Sequence, residues 1–110
     1  MSDLPLPPTN VSVSEVKSNS VTLTWSSGNI EHDQSYIIQY RRKYSSDKYT
    51  DIAEELMTTK HTVSSLSADT VYEFRIVAVN HAGQSQPSET VNVTTIKQQG
   101  IGYYDYISVN

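Results

Sequence analysis

Histidines and carboxylates are the residues of this sequence that could act as acid–base groups or metal ligands. His32, His61 and His81 fall in three separate segments, and none stands at metal-ligand spacing from another histidine. Asp33 directly follows His32, but its loop setting favours an exposed histidine over a catalytic one. Catalysis needs a nucleophile or base, an orienting partner and a pocket. Because the sequence offers no such set, we predict no catalytic residue and no enzyme.

Metal and cofactor sites are equally poorly supported. The pair Glu54-Glu55 and the run Glu31-His32-Asp33 supply carboxylates, but neither loop has the alternating oxygen ligands of a calcium site. The sequence contains no cysteine, which excludes disulfides, thiolate chemistry and cysteine-ligated zinc. Gly28 and Gly83 are isolated, so no glycine-rich loop is present to hold phosphate. We predict no metal and no cofactor.

Two N-glycosylation motifs are present, Asn10-Val11-Ser12 and Asn92-Val93-Thr94. If Val11 and Val93 point into a core, strand alternation places both asparagines on the solvent face, where a glycan must lie. Asn10 and Asn92 are therefore glycosylation candidates. The alternative is unmodified asparagine on outer strands.

The charge balance argues against nucleic acid as a partner. Eight basic residues face twelve acidic ones, for a net charge of −4, whereas phosphate-binding surfaces need clustered Lys and Arg. The run Arg41-Arg42-Lys43 could contact a sulfated glycan or an acidic partner, but a solvated strand end is favoured. No stretch has the roughly 18 apolar residues of a membrane span, so no direct membrane contact is expected. Residues 1–4 lack a signal-peptide pattern.

The dominant hydrophobic period along the chain is two, which is typical of strands with one buried face. Val21, Leu23 and Trp25 alternate with threonines, and Tyr72 and Phe74 begin a similar series that continues to Ala78. Further alternating segments surround Val11–Val13, Tyr36–Tyr40, Thr62–Leu66 and Val91–Val93.

The segment from Asp51 to Met57 is ambiguous. It carries a capping aspartate and two early carboxylates, which favour a connector with one helical turn. The overlapping run Tyr49–Ile52 could instead form a seventh strand. About seven short strands separated by turn signals predict an all-β antiparallel sandwich or small barrel, and the single Trp25 favours the sandwich.

The order of these motifs resembles a fibronectin type III domain. The residues that carry the resemblance are Pro7-Pro8, Val21–Trp25, Tyr36–Tyr40, Leu66–Gly83 and Pro87–Glu89. The resemblance implies an immunoglobulin-like sandwich with a core signature of Trp25, Leu66 and Tyr72, and a tyrosine corner in which the Tyr72 hydroxyl bonds backbone near Leu66 to Asp69. Ala68 departs from the family, which usually has proline there.

The runs from Ser20 to Asn29 and from Tyr36 to Arg41 resemble a repeat from the ectodomain of LAR-type receptor tyrosine phosphatases, or of related neural adhesion receptors. The resemblance implies an extracellular module of a plasma-membrane receptor that acts as a spacer and protein-binding domain in adhesion or signalling. A structural repeat of an intracellular multidomain protein is the alternative. An accessory module of a polysaccharide enzyme is a third, but the planar aromatic row that it would need is not evident.

We expect the loops 26–35 and 80–88 to share one end of the sandwich and to form a binding rim. Tyr40 is expected in the core. The candidates for contact with an unidentified protein ligand are Asn29, Tyr44, Tyr49, His81, Gln84, Tyr103, Tyr104 and Tyr106.

We expect the chain to have three parts. Residues 1–6 form a linker, residues 7–96 form the domain, and residues 97–110 form a tyrosine-rich extension. Pro5-Leu6-Pro7-Pro8 fits a polyproline segment of the kind SH3 domains bind, but a linker from a neighbouring domain of the parent chain is favoured. The extension has three interpretations: a connector, an aromatic contact surface, or an added strand in which Tyr104 and Tyr106 alternate with Asp105 and Ile107.

Overall fold

The computed structural model describes residues 4–29 and 34–98, and this part of the chain contains strands and no helix. The strands are β1 (Thr9–Val16), β2 (Val21–Ser26), β3 (Ser35–Arg42), β4 (Thr50–Leu56), β5 (Lys60–Val63), β6 (Val71–Asn80), β7 (Gly83–Gln84) and β8 (Val91–Thr94). Because none of these residues is helical, no helix among them is long and apolar enough to cross a membrane.

The strands form two antiparallel sheets. The first has the order β1-β2-β5, and the second has the order β4-β3-β6, with β7 and β8 both pairing the far side of β6. The all-β antiparallel sandwich, predicted from the period of two together with Trp25, is confirmed, and so is the immunoglobulin-like fold that the family resemblance implied. The observed strand number is eight because the two-residue strand β7 forms within the segment after β6 that was predicted as a loop.

The core lies between the sheets and is built by the alternating residues. Leu23 and Phe74 are fully buried, and Trp25 and Tyr72 each expose 4% of their surface. Trp25 meets Tyr36 edge to face with ring centroids 5.6 Å apart, while Tyr72 stacks on Tyr40 at 5.7 Å. Tyr40 itself is half-buried and packs against the core.

The predicted helical turn at Asp51–Met57 is wrong, because Thr50–Leu56 is strand β4. The overlapping strand interpretation at Tyr49–Ile52 described the local structure better. A single helical turn is marginal without tertiary support, whereas an extended chain here bonds to β3. The pairing is irregular, with register shifts, and Glu55 has a φ of 57°. Such bulges protect an edge strand from pairing with other chains.

The two ends of the sandwich differ in their loops. The rim end carries residues 26–29, 57–59 and 80–84, because Thr9 pairs Ser26 and Ser35 pairs Val79 at that end. From Ser85 onward the chain runs back along β6. The corner end carries residues 17–20, 43–49 and 64–70.

The tyrosine corner closes the corner end. The Ser67 amide donates to the Tyr72 hydroxyl at 2.9 Å, which is the bond implied by the family resemblance. Main-chain bonds surround it: the amide of Leu66 donates to the carbonyl of Asn19 at 2.9 Å, and that of Ile96 to Lys17 at 3.2 Å. Ala68 therefore does not prevent the corner from forming.

Candidate functional site

The rim end brings together the two loops that the sequence predicted as a binding surface. Residues 27–29 follow β2, and the predicted loop 80–88 begins at the same end of the sandwich, where β6 ends. Its second half runs back along β6. Residues 30–33, which include His32 and Asp33, lie outside the described part of the chain. Within the described part, Asn29 is half-buried, while His81 and Gln84 are exposed.

A hydrogen-bonded group of side chains under the rim centres on Gln34, which exposes only 6% of its surface. The Gln34 amide nitrogen donates to the Tyr36 hydroxyl at 3.1 Å and also to the Ser27 hydroxyl. Its oxygen accepts a bond from the Asn29 side chain at 3.1 Å. A buried amide without partners would destabilise the fold, so this satisfied group fixes the conformation of the loop after β2.

The N-terminal segment Leu4–Pro8, called the strap below, lies across the rim. The Leu6 amide donates to Oδ1 of Asn29 at 3.3 Å, and Pro5 and Pro8 are buried. Gly28 permits this approach, because a Cβ at residue 28 would overlap the Pro7 carbonyl oxygen and lie 3.1 Å from Cβ of Leu6.

The second loop of the rim is shaped by Gly83 and two serines. Gly83 has a φ of 137°, and a Cβ there would lie 3.0 Å from Cδ2 of Leu4. Beyond it, Ser85 and Ser88 continue the pairing with β6 through their hydroxyls: the amides of Ala78 and Ile76 donate to them, each at 2.9 Å. The backbone of this loop is thereby held although no regular strand joins β7 to β8.

A groove of about 640 Å³ runs beside the strap. It lies between the start of β1 and the segment leading into β8, and its walls include Leu6, Pro8, Asn10, Pro87 and Val91. The walls come from the edges of both sheets, so the groove marks the seam of the sandwich on this side.

The outer face of the second sheet carries a charged cluster around Tyr49. The guanidinium carbon of Arg75 lies 3.8 Å from the Tyr49 ring centre and that of Arg41 lies 4.6 Å away. Arg41 also bonds the Glu73 carboxylate at 2.8 Å, and this bond raises the pKa of Arg41, against a smaller opposing effect of desolvation. Arg75 donates to Gln39 at 2.7 Å. Tyr49, predicted as a partner contact, is therefore engaged within the chain.

Two of the three charges in the basic run Arg41–Lys43 are paired with carboxylates. Arg42 pairs Asp47 at 3.1 Å, Arg41 pairs Glu73, and the Lys43 ammonium lies 5.4 Å from the Tyr44 ring centre. A sulfated glycan would have to compete with these two carboxylates, which supports the solvated-strand-end interpretation. Tyr44 is 86% exposed. Among the contacts described, its ring has one neighbour, the Lys43 ammonium.

Both asparagines of the glycosylation motifs are exposed. Asn92 lies opposite Glu73 on β8, next to the buried Val93. Asn10 lies at the start of β1 with a φ of 55°, where the pairing with β2 shifts register. A glycan on Asn92 would extend over the outer face of the second sheet, and one on Asn10 would lie beside the groove.

The other residues that could act in catalysis or metal binding are dispersed over the structure. His61 is half-buried in the ladder opposite Leu23, and His81 is at the rim. In residues 4–29 and 34–98, no group of three or more histidines and carboxylates could hold a metal ion. Tyr103, Tyr104 and Tyr106 lie outside the described residues, as does most of the predicted extension.

Sequence reasoning missed the residues that organise the rim. Gln34 gave no signal because a polar residue between a loop and a strand is normally exposed. The strap had a weak signal, since prolines flank Leu6 and a glycine precedes Asn29, but this pattern also fits a linker.

The comparisons with known proteins agree with this architecture. A family model for the fibronectin type III domain matches residues 6–100. Receptor-type tyrosine-protein phosphatase F of Danio rerio is 45% identical over 95 residues, which are 86% of this chain and 5% of that protein. Tyrosine-protein phosphatase Lar of Drosophila melanogaster is 40% identical over 92 residues, 84% of this chain and 4% of that protein.

A solved structure shows the same fold. The solution structure of the fibronectin type-III domain of human fibronectin type III domain containing protein 3 has a TM-score of 0.79 at 25% identity, covering 94% of this chain and 97% of that one. The chain spans about 5% of the length of the phosphatase relatives. The chain belongs to the fibronectin type III family, and its relatives include LAR-type receptor tyrosine phosphatases.

Proposed function

We propose that the chain is a non-catalytic fibronectin type III module of a multidomain cell-surface receptor, in which it acts as a spacer and a protein-binding domain in adhesion or signalling. The observation that carries the proposal is the 45% identity to a receptor-type phosphatase over 86% of the chain. The name of that relative describes a receptor, and a segment amounting to 5% of it leaves ample chain for a catalytic domain elsewhere.

The proposal of a non-catalytic module is supported by the geometry of residues 4–29 and 34–98. Catalysis needs a nucleophile or base beside an orienting group and a pocket. The buried polar group around Gln34 consists of neutral amides and hydroxyls bonded to one another. The charged cluster around Tyr49 consists of the Arg41–Glu73 ion pair and of Arg75, which stacks on the Tyr49 ring and donates to Gln39. Both arrangements stabilise structure and offer no activated nucleophile.

The rim is the proposed contact surface for an unidentified protein ligand. Asn29, His81 and Gln84 stand on loops that the sandwich holds at one end, and such loops can vary without disturbing the core. Tyr44 is a second candidate contact because its ring is almost fully exposed at the opposite end. Nucleic acid is an unsuitable partner for a chain of net charge −4.

The domain limits are part of the proposal. The repeat occupies residues 7–96, with 1–6 joining it to a neighbouring domain of the parent chain and 97–110 forming an extension. Ile96 supports the C-terminal limit, because its amide bonds Lys17 and its carbonyl accepts from Asp69, both at 3.2 Å.

Glycosylation tests the extracellular location. The chain would be expressed in mammalian cells behind a secretion signal, and its mass compared before and after glycosidase treatment. We expect glycosidase to lower the mass of the secreted chain. Asn92→Gln and Asn10→Gln should each lower that mass by the mass of one glycan. Asn19→Gln is the matched control, since Asn19 is not in a motif.

A secreted chain with no glycosidase-sensitive mass would contradict the proposal. That result would favour the alternative, a structural repeat of an intracellular multidomain protein, in which the two motifs are accidental.

A further inference from the structure

The strap Leu4–Pro8 is held at three points along its length. At Leu6, the amide donates to the side chain of Asn29 at 3.3 Å. At Pro7, the carbonyl lies against Gly28 so closely that no side chain fits between them. At Leu4, the side chain reaches Gly83 on the other rim loop. The strap therefore bridges both loops of the rim.

The anchor of the strap continues into the core. Asn29, which accepts the Leu6 amide, donates to Gln34, and Gln34 donates to the Tyr36 hydroxyl. Tyr36 packs its ring against Trp25. A chain of direct contacts therefore runs from the strap to the central indole, so the direction in which the strap leaves the module is set by the folded core.

The held strap keeps two apolar side chains in solvent. Leu4 is 48% exposed and Leu6 is 57% exposed, although Pro5 and Pro8 of the same segment are buried. Isolated exposed leucines are ordinary on protein surfaces. Leu4 lies beside Gly83, on the loop that carries the exposed His81 and Ala82, and the anchored strap presents both leucines at this end of the module.

We propose that Leu4 and Leu6 are the contact surface for the end of the domain that precedes this module in its parent chain, and that the strap fixes the angle between the two. This inference rests on the proposed function, because it requires a neighbouring domain. The proposed partner of Leu4 and Leu6 is an apolar surface on that neighbouring domain.

The apolar surface formed by Leu4 and Leu6 is small, which favours a neighbour tethered in the same chain over a freely diffusing partner. A stable complex between separate proteins buries about 800 Å² on each side, far more than two half-exposed leucines offer. A domain joined through a short linker is present at an effective concentration in the millimolar range. A small apolar contact is then sufficient to hold one orientation.

The first experiment tests whether the strap is held in the chain itself. Amide hydrogen exchange would be followed residue by residue by NMR. We expect the Leu6 amide to be protected, and Asn29→Ala to raise its exchange rate about fivefold, the equivalent of one ordinary hydrogen bond. Asn19→Ala, in the turn at the opposite end, is the control. Exchange of Leu6 at the rate of an unstructured peptide in the unaltered chain would overturn the proposal.

The second experiment tests whether the preceding domain contacts Leu4 and Leu6. It uses the longer protein, in which the natural preceding domain is retained. NMR relaxation would measure the rotational correlation time of each domain. We expect both domains to share one correlation time, and the double variant Leu4→Ser with Leu6→Ser to shorten it about twofold as the domains move independently. Ile96→Ser is the matched control, because Ile96 is 51% exposed at the opposite end.

Gly28→Ala provides an independent route, because its Cβ would displace the strap at the Pro7 carbonyl while neither leucine is substituted. Its folding would be checked by urea denaturation of the same protein, and we expect the same loosening as with the two serine substitutions. Independent tumbling in the unaltered protein would overturn the proposed contact.

Concentration-dependent dimerisation of the single module that the serine substitutions abolish would assign the surface to a second copy and overturn the named occupant. Failure of glycosylation on secretion would instead refute the proposed function and leave the strap geometry intact.

Discussion

The two ends of the sandwich are closed by different kinds of bond. At the corner end, the strands are joined mainly through main-chain groups, including Leu66 to Asn19 and Thr95 to Thr70, and the hydroxyls of Tyr72 and Thr95 add side-chain bonds. At the rim end, the amide of Trp25 donates to the carbonyl of Thr59, but the loop after β2 is closed through side chains, those of Ser27, Asn29 and Gln34.

This difference indicates which end can change in sequence without loss of the fold. Main-chain bonds form with almost any residue at the position, provided that the backbone conformation is allowed. Side-chain bonds need particular residues, so the rim depends on its own sequence. The corner end thus carries the general fold, while the rim end carries what is particular to this module.

The largest effect is expected from Tyr72 at the corner end. Tyr72→Ala removes a buried ring stacked on Tyr40 and should lower the free energy of unfolding by about 3–5 kcal/mol. Tyr72→Phe keeps the ring but leaves the Ser67 amide unpaired, so a loss of about 1–2 kcal/mol is expected. Urea denaturation measures both values. Tyr44→Phe is the hydroxyl control, and a Tyr72→Phe variant as stable as that control would refute the role of the corner bond.

The next effect concerns Gln34 at the rim end. Gln34→Ala leaves the Asn29 side chain and the Tyr36 hydroxyl without their partner, so the free energy of unfolding should fall by about 2–3 kcal/mol. Gln86→Ala, at an exposed glutamine of the neighbouring loop, should change it by less than about 0.5 kcal/mol. Equal effects of the two substitutions in urea denaturation would show that the rim network does not stabilise the fold.

The smallest effect separates two tyrosines of one hairpin. Tyr49→Ala removes the ring beneath Arg75 and should lower the free energy of unfolding by about 1 kcal/mol. Tyr44→Ala should change it by less than about 0.5 kcal/mol, because Tyr44 is 86% exposed. Thermal unfolding of the two variants under one buffer condition measures the difference. The reverse order would mean that Tyr44, rather than Tyr49, holds the hairpin.

The sandwich could be predicted from the sequence because burial and strand period agree. Leu23 and Trp25 on β2 point inward with the register that their alternation with threonine requires. Thr22 shows the limit of the pattern: it is on the opposite face and yet 5% exposed, since its hydroxyl bonds Thr62 at 2.8 Å across the strands. Ile37 and Val77 show the same limit: they pair with each other on the outward-facing side of the second sheet, and both are buried.

Structure formed by long-range contacts could not be predicted in the same way. The local signals at Asp51 favour a helical turn, but pairing with β3 gives the segment its hydrogen bonds as a strand. The strap depends on contacts between residues more than twenty positions apart, such as Leu6 with Asn29. Prolines fix local backbone angles but carry no information on what the segment packs against.

A crossed pair of variants tests most directly whether the two ends are closed independently. Residue-resolved amide exchange would be measured in Gln34→Ala and in Tyr72→Phe under native conditions. We predict that Gln34→Ala accelerates exchange of the Leu6 and Asn29 amides relative to those of Leu66 and Ser67, and that Tyr72→Phe does the reverse. Equal acceleration at both ends in both variants would contradict the account, because it would mean that the ends open as one unit.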